Sequence, residues 1–90
     1  MEKRTINAAD APAPAGTYSQ AIEVRNATRT LYVSGQIPVA VDGTVPTAFA
    51  DQARVAWQNV VAQLHAADMT LDNLVKVTIF LSDRRYIPEY

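Results

Sequence analysis

One helical period constrains this chain more than any other feature. Phe49, Ala53, Ala56, Trp57, Val60, Leu64 and Ala67 recur at three- and four-residue spacing, which gathers side chains on one face of an α-helix. Asp51, Arg54, Gln58 and His65 fall on the opposite, solvated face. Thr47 is the expected N-cap, and Asp51 lies near the positive end of the helix dipole. Trp57 is the expected anchor, and truncating a buried ring there to alanine should cost about 3–5 kcal/mol. The helix ends near Asp68 without a glycine, so its C-cap is expected to be weak.

Alternating stretches flank the helix. Leu31, Val33, Gly35 and Ile37 share one face, and Tyr32, Ser34 and Gln36 share the other, before Pro38 marks a turn. This face offers a hydroxyl and an amide beside a glycine, where backbone can approach a ligand. Residues 20–25 alternate too, and Asn26-Ala27-Thr28 is a turn that would pair them with residues 30–37 in a hairpin. Asp42-Gly43 is a second turn signal. Residues 74–82 form the best strand candidate: Val75, Val77, Ile79 and Leu81 against Lys76, Thr78, Phe80 and Ser82. Phe80 on the second face implies that this face is covered as well, for instance by another subunit. Residues 1–16, punctuated by Pro12, Pro14 and Gly16, read as an N-terminal arm. Ser82-Asp83, Pro88 and Glu89 make a helix start with no helix behind it, which predicts a chain cut short at its C-terminus. The expectation is therefore one α+β domain over residues 1–90, an antiparallel or mixed sheet with a helix packed on one face.

Composition narrows the chemistry. A net charge of −1 gives no pull towards a nucleic-acid backbone or an anionic membrane. The absence of cysteine removes disulfides, thiolate zinc sites and a cysteine nucleophile. No apolar run is long enough to cross a bilayer, and a cytoplasmic location is the expectation. His65, the only histidine, sits on the polar helix face, so neither a transition-metal set nor a Ser-His-Asp triad can be assembled around it. By residue chemistry alone, Tyr18 and Ser34 are only possible cleft residues.

Four blocks, in order and in register, resemble the Rid (YjgF, reactive intermediate deaminase, endoribonuclease L-PSP-like) family. They are Pro14-Ala15-Gly16-Thr17-Tyr18-Ser19-Gln20-Ala21, Ser34-Gly35-Gln36-Ile37-Pro38, Gln52-Ala53-Arg54 with Asn59-Val60, and Val75-Lys76-Val77-Thr78-Ile79-Phe80-Leu81-Ser82-Asp83. The resemblance implies a chorismate mutase-like α+β fold, lacking the C-terminal part here. It implies a homotrimer with ligand clefts between subunits, and hydrolysis of enamines and imines such as 2-aminoacrylate to 2-keto acids and ammonia. No cofactor is implied, and the partner is a small imine or carboxylate ligand. Tyr18 matches the family's cleft tyrosine, Ser34 its small polar cleft residue and Gly35 a backbone contact beside it; Gln36 is expected to be structural. Thr17 replaces a proline and Asp68 a glycine. The family's carboxylate-binding arginine and water-positioning acid come from a later segment, and Arg84 and Arg85 do not match that arginine's motif. No catalytic residue or metal ligand is therefore assigned. Three readings stay open: an imine deaminase, a non-catalytic carboxylate-binding or regulatory member, and an endoribonuclease or translation inhibitor. The acidic balance and the lack of a base histidine weigh against the third.

Overall fold

The computed structural model describes residues 1–88, in two units: Met1–Leu31, and a second beginning at Tyr32. Glu89, read above as part of a helix start, lies outside the described residues.

The first unit is built on a two-stranded antiparallel sheet, β1 (Glu2–Ile6) and β2 (Ala21–Arg25). Its register sets Arg4 opposite Glu23 and Thr5 opposite Ile22. The Arg4 guanidinium reaches the Glu23 carboxylate at 3.4 Å, an exposed pair worth at most about 1 kcal/mol. Just past the last pair, the Asn7 side-chain oxygen accepts the Gln20 backbone N–H at 2.8 Å and pins the register. Part of the expected arm is thus a strand. The expected hairpin between residues 20–25 and 30–37 is not formed: β2 pairs with β1, and residues 30–37 run outside any ladder. Between residues 26 and 29 only Asn26 has a positive φ, 56°.

The second unit is built on α1 (Phe49–Ala66). Its N-cap is Ala48, without a side-chain bond, and not the expected Thr47. Gln52 supplies the missing link, its side-chain amide donating to the Pro46 carbonyl at 2.7 Å. Among the described residues Val55 and Leu64 are the buried apolar side chains. Trp57 is only half-buried, lining an open cleft with Arg54, Gln58, Val61 and Leu71, so it is not the anchor its size suggested. His65 is exposed, on the polar face where the spacing put it.

Asp68 closes the helix. Its φ is 58°, and the Asp68 N–H donates to the His65 carbonyl while the Met69 N–H donates to that of Leu64. This pair of bonds is the Schellman stop, usually built on glycine. The carboxylate side chain therefore takes the left-handed position despite the crowding of its Cβ. Asp68→Gly should raise stability by about 0.5–1 kcal/mol, the relief exceeding the extra unfolded-state freedom of glycine. Denaturant midpoints of the two proteins measure this.

Two further sequence signals fold as read. Around Asp42-Gly43 the chain reverses, with Ala40 N–H to Thr44 O and Gly43 N–H to Ala40 O, both 2.9 Å, and Gly43 at φ 87°. The Asp42 carboxylate accepts the Thr44 hydroxyl at 2.7 Å and the Thr44 N–H at 3.0 Å. The hydroxyl bond foremost, then the backbone bond, hold the Asp42 pKa below its ordinary value. A depressed carboxylate stabilises the turn above the unfolded-state pKa and loses that contribution as pH falls through its folded value. Carbon-detected NMR titration should place the Asp42 midpoint below 3.8, and Thr44→Val should raise it. Asp83 caps a 3-10 turn, Arg84–Tyr86, by accepting the Arg85 N–H at 2.9 Å. That turn is held to the start of α1 by Tyr86, whose ring stacks on Phe49 with centroids 4.4 Å apart.

Residues 74–80 follow a capped 3-10 turn, Leu71–Asn73, and belong to no ladder. The expected strand is absent as a hydrogen-bonded element. Val75, Val77 and Ile79 are exposed, and Phe80 is 93% exposed. Alternation records which residues share a face; a strand exists only when a neighbour accepts its backbone bonds.

Candidate functional site

Tyr18 belongs to the first unit, within the Gly16-Thr17-Tyr18 turn that follows the proline-marked lead-in. Its hydroxyl accepts the Ala15 backbone N–H at 3.2 Å. Its ring packs over Gly16, where a Cβ would sit 3.7 Å from two ring carbons. Two bonds from Gln20 tie the other end of this loop. The Gln20 N–H goes to Asn7, and its side-chain amide donates to the Pro12 carbonyl at 3.3 Å. The tyrosine is held from both sides yet remains 56% exposed, with its hydroxyl hydrogen free to be donated to a ligand.

Ser34 and Gly35 belong to the second unit and are exposed. The Ser34 carbonyl accepts the Gln36 side-chain amide at 3.1 Å, which turns Gln36 back along its own backbone. A Cβ on Gly35 would meet nothing within 4 Å. Packing does not demand glycine there. Its bareness leaves the backbone open to close approach instead.

What fixes this segment is Asn59, whose role sequence reasoning missed. At Pro38 the chain turns tightly, the Val39 N–H donating to the Ile37 carbonyl at 2.8 Å. From α1, the Asn59 side-chain amide donates to the Ile37 and Val39 carbonyls, both at 3.0 Å. The helix thereby grips the end of the Ser34-Gly35-Gln36 run through two donors on one nitrogen. An amide between the half-buried Trp57 and Val60 was the available signal.

Among the described residues no cluster of three or more His, Asp or Glu side chains is placed to hold a metal ion, and no helix is long and apolar enough to cross a membrane. Arg85 is engaged locally, 3.6 Å from the Asp83 carboxylate and 3.2 Å from the Tyr86 hydroxyl.

The comparisons with known proteins agree with the blocks that hold these residues. The profile of the Endoribonuclease L-PSP family matches residues 8–90. Protein HMF1 of Saccharomyces cerevisiae is 42% identical over 81 residues, 89% of this chain and 60% of its own length. A RutC family protein of Aquifex aeolicus is 38% identical over 87 residues, 96% of this chain and 67% of its own. TdcF of Escherichia coli, whose name assigns it provisionally as a reactive intermediate deaminase, is 34% identical over 82 residues, 90% of this chain and 61% of its own. The chain thus spans about three-fifths of the length of such relatives. No solved structure gives a significant match. The chain belongs to the Rid, or endoribonuclease L-PSP, family.

Proposed function

We propose that this chain supplies part of an imine-hydrolysing site: an enamine/imine deaminase acting on 2-aminoacrylate-like intermediates. The observation that supports this most is the family match over residues 8–90, which takes in both site blocks, together with the deaminase name carried by TdcF. In the reaction, water adds to the imine carbon of the tautomerised enamine, giving a carbinolamine. That intermediate collapses to a 2-keto acid and expels ammonia. Tyr18 in the first unit and Ser34 in the second each offer a hydroxyl donor for the carboxylate or the developing negative charge, and Gly35 leaves the backbone open next to Ser34 in the chain. Preorganised donors of this kind act mainly by positioning and charge stabilisation.

The assembly belongs to the same proposal: a single chorismate mutase-like domain, three copies to a homotrimer, in the cytoplasm. The exposed apolar side chains Val75, Val77, Ile79 and Phe80 support a covering partner. The family's profile name favours a second reading, endoribonuclease activity. Against it stand the net charge of −1 and a single histidine, His65, exposed on the polar face of α1.

The test is release of 2-keto acid from freshly generated 2-aminoacrylate, with Tyr18→Phe and Ser34→Ala beside the parent. Each variant should lower kcat/KM by about tenfold or more, the scale for losing one positioned donor. Unchanged kcat/KM in both would remove these residues from the site.

A further inference from the structure

Of the three glycines in this chain, only Gly43 follows an aspartate or an asparagine. An Asp-Gly pair carries chemistry of its own: with no Cβ in the way, the glycine nitrogen can attack the aspartate side-chain carbonyl carbon. Here the pair lies, exposed, in the reversal between Ala40 and Thr44. A Cβ on Gly43 would meet nothing within 4 Å, so the backbone is open to approach. Two sets of contacts oppose the attack. The Gly43 N–H donates to the Ala40 carbonyl at 2.9 Å, which keeps the proton on the nucleophile. The Asp42 Oδ1 accepts the Thr44 hydroxyl at 2.7 Å and the Thr44 N–H at 3.0 Å, which favours the ionised carboxylate and restrains its rotation. An ionised carboxylate is a poor electrophile, and its departing oxygen must first be protonated. The loop is also pinned to α1 at both ends, at the Val39 carbonyl by Asn59 and at the Pro46 carbonyl by Gln52.

We propose that Asp42 is a site of spontaneous isomerisation to isoaspartate, and that Thr44 is the residue that holds its rate down. The Gly43 nitrogen bonds to the Asp42 Cγ, the amide proton passes to solvent, and the protonated side-chain oxygen leaves as water. The product is a five-membered succinimide. Water then opens the ring. Breaking the bond from the nitrogen to Cγ restores aspartate, and breaking the bond to the main-chain carbonyl carbon gives isoaspartate, with no net change in mass. The isomer adds one methylene to the main chain of a loop pinned at both ends, and it removes the side-chain carboxylate that Thr44 holds. Its new α-carboxylate is a substrate for methyl transfer from S-adenosylmethionine by a carboxyl methyltransferase. The proposal does not rest on the imine-hydrolysis reading.

The experiment ages the whole chain at neutral pH in warm buffer and reads isoaspartate over time. Enzymatic methyl transfer gives the amount, and peptide mapping with electron-transfer fragmentation gives the position. Isoaspartate is expected at Asp42 ahead of every other aspartate, and more slowly than in the same chain unfolded in urea. Thr44→Val, which loses the hydroxyl, should form it about threefold faster or more, a modest rate effect for one lost charge-assisted bond at an exposed site. Thr44→Ser, which keeps the hydroxyl, should age at the parent rate. Asp42→Glu, whose longer side chain does not close a five-membered ring, should remove the signal. Isoaspartate arising first elsewhere, equal rates in Thr44→Val and the parent, or a parent rate equal to that in urea would overturn the proposal. Keto-acid release from 2-aminoacrylate is a separate readout, so failure of either proposal leaves the other standing.

Discussion

Leu64→Ala will cost about 2–4 kcal/mol of unfolding free energy, the usual range for a buried leucine truncated in a core that cannot fully collapse. Leu64 is 4% exposed, and among the described residues only Val55 shares the status of a buried apolar side chain. The loss is concentrated where the second unit has least to spare. Leu64 also sits in the last turn of α1, where its carbonyl accepts the Met69 N–H of the helix stop at 2.8 Å. A cavity beneath it will loosen the Asp68 closure as well as the core. Leu64→Met, which conserves volume, should cost under about 1.5 kcal/mol. Trp57→Ala, at a half-buried ring, should fall below Leu64→Ala despite removing more atoms. Urea midpoints of the three variants rank the positions. The reverse order, with Trp57 the costlier, would restore the anchor role suggested by its size.

Asn59→Asp will be nearly as damaging, at about 2–3 kcal/mol, through a different cause. The parent amide donates to two carbonyls at 3.0 Å. A carboxylate has no N–H to give and would set negative oxygen against both acceptors. Losing each bond costs about 1 kcal/mol, and the unpaired carbonyls add to it where the site is part-buried. Asn59→Ala, without the repulsion, should cost about 2 kcal/mol. The discriminating readout is local: amide exchange at Val39 and Ala40 should accelerate in both variants, while exchange in β1 and β2 should not. The same substitutions should lower imine hydrolysis, since Asn59 grips the end of the segment that carries Ser34. Uniform acceleration across the chain would make Asn59 a global stabiliser only.

What the sequence revealed follows from the range of the interactions involved. The helix was legible because its period is written within one element, and Asp42-Gly43 and Asp83 because turn and cap chemistry closes over two to four residues. The choice of strand partner was not legible. Both 2–6 and 30–37 could serve residues 21–25, and the ladder that forms sets Arg4 opposite Glu23 and adds the bond between Asn7 and Gln20, 13 positions apart. Thr47 was the better cap by side-chain chemistry, yet Gln52 reaching back to Pro46 fixes the helix start one residue later. Trp57 misled for a related reason: period assigns a face, but burial depends on what packs against it. Asp68 shows that a helix stop can form without glycine when a short polar side chain accepts the left-handed conformation, at the steric cost that Asp68→Gly should relieve. Of the site residues, chemistry made Tyr18, Ser34 and Gly35 only possible cleft positions and motif order gave them their roles, while Asn59 escaped because its partners lie 20 and 22 residues away.

The most direct test of the central claim is the rate of 2-keto acid and ammonia release from freshly generated 2-aminoacrylate, with and without the protein. It should be run on the 90-residue chain and on the chain carrying the further stretch that its relatives have. The account predicts release above the buffer rate in equal amounts of the two products, falling about tenfold or more in Ser34→Ala. Release at the buffer rate by both proteins would contradict it.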